Sequence, residues 1–176
     1  MFRNAVIFKW TLYLLAAFLC LVVQSFAQRL TLLGVIPFLY PLLAVIPATM
    51  DSPGFGGAFA VLTGVFCDLL LPESLPCFYT LSFPISAMIA SFLSRELLPA
   101  GLLCSYAVSA LAFAVNGFFH CFLFWTWGDV SPWMPGLSLT LREFFVTVPL
   151  MSPLMTLLFR LVADRTRYEE MHKGMG

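Results

Sequence analysis

Charge is what this 176-residue chain has least of: Asp, Glu, Lys and Arg make up 10% of it, nine acidic against nine basic. A soluble domain carries about 25% charged residues, so a surface solvated on all sides is excluded. The cations gather into no basic face and interleave with no aromatic pattern, which excludes a nucleic-acid partner. Cysteine is also sparse, with Cys20, Cys67, Cys77, Cys104 and Cys121 in odd number and none in a C-x-x-C pair. That argues against a redox motif or a zinc knuckle and leaves the thiols as small apolar side chains. No serine sits in G-x-S-x-G, no Gly-Lys loop is present to cradle phosphate, and neither histidine has an orienting partner nearby in sequence. His120 stands beside Cys121, but His172 lies far off in the tail, so no metal site is expected. The sequence therefore predicts no enzymatic activity and no cofactor.

What the chain has instead is apolar length. Hydrophobic residues make up 61% of it, and the mean hydropathy is +0.95. Runs of about 17–25 apolar residues are the length that crosses a bilayer. The sequence predicts an all-α integral membrane protein, one polytopic domain over 1–176, with spans near 6–27, 30–50, 55–71, 76–94, 102–125 and 141–162. The first span could instead be a signal peptide cleaved after Ser25-Phe26-Ala27. Pro37, Pro41 and Pro47 fall in the second span and predict a kinked or broken helix. Neighbouring helices would have to satisfy the backbone groups this frees. Asp51 or Ser52 can cap the third helix. Leu71-Pro72-Glu73-Ser74 reads as a tight hairpin, with Glu73 solvated. Residues 128–139 read as a turn-rich connection, and 164–176 as a short charged tail. Trp125, Trp127 and Trp133 suit an interfacial belt.

Cations near span ends set orientation. With six spans, one side collects Arg3, Lys9, Arg95, Arg160, Arg165, Arg167 and Lys173, and the other only Arg29 and Arg142. Both termini are expected to be cytoplasmic.

The third and fourth spans hold the chain's most concentrated pattern. Gly56, Ala60 and Gly64 recur every four residues, and Asp68 continues the series. Such spacing lays all four on one helical stripe, and small residues let membrane helices approach closely. A carboxylate on that stripe should face protein or water rather than lipid. With Gly64 and Arg142 it can serve a partner or ligand, or it can cap a neighbouring helix or pair within the bundle. Arg142, beside Glu143, is the nearest expected cation. Asn116 and His120, four apart, suit interhelical hydrogen bonding or the floor of an outward cavity.

These features are ordered along the chain in a recognisable way: one span, a proline-bearing run ending Pro41-Leu42-Leu43, then Gly56-Gly57 through Gly64-Val65-Phe66-Cys67-Asp68 and a hairpin. Pro149 and Pro153 precede a basic end at Arg160, Arg165 and Arg167. Over essentially its full length the chain resembles the rod-shape-determining protein MreD family of bacteria. A glycine common after that family's hairpin is absent from Pro72 to Cys77. The resemblance implies a plasma-membrane scaffold of cell elongation that binds a bitopic MreC-like protein. Through it the scaffold would meet an actin-like MreB filament and the peptidoglycan synthases. The family's fold is similar to the substrate-binding subunits of energy-coupling-factor transporters, which supplies the alternative: a small-molecule-binding transport subunit.

Overall fold

The computed structural model describes residues 2–27, 36–71, 77–99, 101–127 and 133–174. The described residues form six helices and no strand: α1 (Phe2–Ala27), α2 (Tyr40–Met50), α3 (Pro53–Leu70), α4 (Phe78–Glu96), α5 (Leu102–Trp127) and α6 (Trp133–Gly174). By length and composition α1, α3, α5 and α6 can each cross a membrane. Four of the six expected spans thus stand as long apolar helices, while α2 is shorter and α4 less apolar.

The reason lies in two local compositions. Pro37 and Pro41 keep the second apolar run from being one helix. Ile36 to Leu39 are non-helical, Pro41 sits in the first turn of α2, and the remaining 11 residues reach only about 16 Å. That is about half the hydrocarbon thickness of a bilayer. In α4, four serines (Ser82, Ser86, Ser91, Ser94) and the terminal Arg95-Glu96 lower its hydropathy.

α2 is the centre rather than a span, with every residue from Tyr40 to Thr49 buried. It packs against α3, α4, α5 and α6. The bent entry into it is held from two sides. Gln24 Nε2 of α1 donates to the Pro37 carbonyl at 2.7 Å, and Gln24 Oε1 accepts from the Leu39 amide at 2.9 Å. Thr147 Oγ1 of α6 accepts from the Phe38 amide at 2.9 Å. The backbone groups freed by proline are thus met by neighbouring helices, as burial in an apolar medium demands.

Successive helices run up and down. Near one end Lys9, Asp51 and Arg95 converge, and Tyr13 stacks on Phe159 with ring centroids 5.7 Å apart. At the other end Phe78 packs on His120 at 4.6 Å. The fully buried Tyr13 joins three helices, since its ring also meets Phe55 at 4.8 Å and Phe59 at 5.8 Å.

Two further expectations change. α6 begins at Trp133, inside the connection expected over 128–139, and continues through the expected tail to Gly174. Its 42 residues trace about 63 Å, roughly twice the hydrocarbon thickness, so one stretch extends past any apolar slab. The outward faces are apolar: Leu15, Phe18, Leu69, Met88, Leu103 and Phe145 are each at least 63% exposed. Trp125 is exposed at 65%. Arg29, Glu73 and the Pro72–Ser74 turn lie outside the described residues, as does the Gln28 side of the possible cleavage site.

Candidate functional site

The third and fourth helices meet through Gly64 and Asp68, and the two act together. A Cβ on Gly64 would stand 2.6 Å from the Tyr79 carbonyl oxygen and 2.8 Å from Thr80 Cα. Only glycine lets the first turn of α4 lie so close to α3. One turn further on, the Asp68 carboxylate reaches that turn's unsatisfied donors. Oδ1 accepts from the Tyr79 amide at 2.8 Å, and Oδ2 accepts from the Thr80 amide at 2.9 Å and the Thr80 hydroxyl at 2.5 Å. α4 has no side-chain cap of its own. Its N-cap residue is Cys77, in the left-handed region at φ 64°. Asp68 is therefore an N-cap supplied by another helix, where the dipole also favours a negative charge.

Both Asp68 oxygens thus accept hydrogen bonds within the fold. Arg142 is not its partner. It is exposed on α6, and no ion pair joins it to Asp68 among the described residues. The small-residue stripe also divides between neighbours. Gly56 abuts α2, with Ala48 Cα 2.6 Å from where its Cβ would be, while Gly64 abuts α4. Ala60, between them, is fully buried with Tyr40, Ala44, Cys67 and Tyr79.

The polar centre that sequence reasoning missed lies at the opposite end. Lys9 Nζ stands 2.7 Å from both carboxylate oxygens of Asp51. The Tyr13 hydroxyl donates to Asp51 Oδ2 at 3.3 Å, and the Ser52 amide to Oδ1 at 2.7 Å. Arg95 donates to the Asp51 backbone carbonyl at 3.3 Å, and the Lys9 ammonium lies 4.8 Å from the Phe55 ring centroid. The two ion-pair side chains are only 19% and 12% exposed. Asp51 thus ties α1, α3 and α4 together at the α2–α3 turn. It does not cap α3 as expected, and Ser52, the N-cap residue, makes no side-chain cap bond either. The available signal was a lysine inside an apolar run, which needs a partner; nothing local pairs it with a residue 42 positions on.

Asn116 is 2% exposed and His120 half-buried, both on α5. Among the described residues no group of three or more His, Cys, Asp or Glu side chains is arranged to hold a metal ion. Among the described residues, cavities lie along the helix surfaces. One of about 190 Å³, between α1 and α6, is lined by Leu19, Cys20, Val23, Leu154, Met155 and Leu161 among others. A second, about 200 Å³, lies between α1 and α3, with Phe18 and Leu62 in its walls. A third, about 400 Å³, lies between α5 and α6 beside Ala114, Gly117, Phe118 and Phe144. What these apolar walls can hold is apolar: a hydrocarbon chain or the face of another helix. Set against known proteins, the chain matches no family model, no curated protein and no solved structure.

Proposed function

We propose that this chain is a non-enzymatic scaffold of the bacterial plasma membrane, acting in cell elongation by binding a bitopic MreC-like protein. Through that partner it would meet an MreB-like filament and the peptidoglycan synthases. The observation that carries the reading is the distribution of polarity. Asp68, Asp51 and Lys9 are turned inward and bonded within the fold, whereas the long helices present apolar side chains and apolar grooves outward. Such a surface suits a single transmembrane helix better than a polar small molecule. The serial order of the Gly64–Asp68 element and the proline-bearing runs adds the resemblance to the MreD family.

Orientation follows from the cations. Lys9 and Arg95 meet at the end where α1 begins, and Arg160 and Arg165 lie toward the end of α6. By the excess of cytoplasmic Lys and Arg, that end and both termini face the cytoplasm. A cysteine introduced at Lys173 in a cysteine-free background should then be shielded from impermeant thiol reagents in intact cells; labelling there refutes the orientation.

The functional test is co-expression with an MreC-like partner and affinity recovery from detergent. Comparable amounts of both proteins are expected. Leu154→Trp and Leu161→Trp, which fill the α1–α6 groove, should lower recovery without lowering the thermal midpoint if that groove is used. No co-recovery with the parent protein refutes the scaffold. A vitamin-sized molecule bound stoichiometrically to the purified chain favours the transport-subunit alternative.

A further inference from the structure

Hydroxyls in apolar helices commonly satisfy themselves by donating to the carbonyl four residues back. Thr63 does so to Phe59 at 2.9 Å, Ser86 to Ser82 at 2.8 Å and Thr156 to Ser152 at 2.6 Å. A few buried groups forgo that bond. Among the described residues, the buried side-chain oxygens without a hydrogen-bond partner are Ser82 Oγ and Ser91 Oγ on α4, and Ser105 Oγ and Asn116 Oδ1 on α5. These side chains are 0%, 4%, 1% and 2% exposed. In an apolar interior an unpartnered oxygen gives up the hydrogen bonds it would keep in water, which is costly.

Their placement is not scattered. α4 and α5 pack on each other, and the Phe78–His120 contact fixes an antiparallel register. Four residues along from each of those rings stand Ser82 and Asn116, so the two residues fall at one level of the antiparallel pair. Helical spacing puts Ser105, Ser109, Asn116 and His120 on one face of α5, and Phe78, Ser82 and Ser86 on one face of α4. Ser109 continues the polar track toward α6, with its hydroxyl 3.4 Å from that of Ser152. Ala112, a turn from Asn116 on the same face, keeps the walls small. Ser91 falls on a different face of α4 and takes no part.

We propose that α4 and α5 meet across a hydrated seam, in which an ordered water molecule bridges Ser82 Oγ and Asn116 Oδ1. A hydroxyl that donates and accepts, opposite an amide oxygen that accepts, offers the two or more polar partners that hold a buried water. Such a seam does not depend on which partner the scaffold binds. It gives the bundle a joint, because bridging waters can exchange hydrogen-bond partners as helices shift, whereas interlocked apolar side chains resist displacement. α4 can then shift against α5 along this seam.

The chain contains only two asparagines, Asn4 and Asn116, which makes the test selective. Asn4→Gln protein labelled with ¹⁵N-asparagine carries one side-chain amide signal and can be placed in lipid bilayers. Water-edited solid-state NMR should show transfer from water to the Asn116 amide, and Ser82→Ala should reduce it at least twofold. Ser82→Cys, which keeps the volume but weakens the hydrogen bond, should reduce it similarly and covers the case in which the alanine variant folds poorly. No transfer in the parent, as a direct Ser82–Asn116 bond would give, overturns the proposal. So does transfer that both substitutions leave unchanged.

Discussion

Replacing Asp68 with alanine removes three hydrogen bonds from the start of α4 at once. Loss of an N-cap side chain costs about 0.5–2 kcal/mol. Here a second amide also loses its acceptor, and a half-buried donor left unsatisfied costs about 1–3 kcal/mol. Part of this is returned because the carboxylate no longer needs desolvation, so a net loss of about 2–4 kcal/mol is expected for Asp68→Ala. For a chain of this length that corresponds to a fall of about 5–15 °C in the thermal midpoint. Asp68→Asn keeps one accepting oxygen and should lose about half as much. Thr80→Val removes only the hydroxyl bond, and its effect should largely vanish in the Asp68→Ala background because the two share one network. Tryptophan fluorescence during heating in a mild detergent reads the four variants against the parent. A midpoint for Asp68→Ala within about 1 °C of the parent refutes the capping role. In that event, lost partner recovery with Asp68→Asn would return the carboxylate to recognition.

The glycines give a second contrast. Gly64→Ala forces a Cβ against the α4 backbone and should destabilise by about 1–3 kcal/mol, whereas Gly57→Ala, with nothing within 4 Å of its Cβ position, should be neutral or stabilising; equal midpoints refute the close approach. Lys9→Met leaves the Asp51 carboxylate half-buried with a reduced partner set, and a loss of about 1–3 kcal/mol is expected. Lys9→Met with Asp51→Asn should recover part of it, and a double variant at the sum of the single losses argues against a direct pair. Gln24→Leu removes both bonds to the bent entry of α2 and should lower the midpoint by several degrees; no change would mean that Thr147 alone holds that segment.

Much of the molecule could be read directly from its residues. Apolar run length depends only on local composition, so α1, α3, α5 and the apolar part of α6 stand near their expected places. Proline chemistry is equally local, and the break before α2 is where Pro37 and Pro41 forbid a continuous helix. The Gly56–Ala60–Gly64–Asp68 stripe was legible as a close-contact face because four-residue spacing is a property of the helix itself. Which neighbour each residue meets was not. Gly56 faces α2 and Gly64 faces α4 because helix placement depends on how all six side-chain surfaces fill space together. The short proline-bounded run could have been a kinked span; its burial at the centre follows only when the other helices close around it. Asp68 as the cap of another helix, and Lys9 paired with Asp51, bring together groups 11 to 42 residues apart. Periodicity along one helix carries no record of such pairings, because electrostatic and hydrogen-bond partners are chosen by distance in the folded bundle.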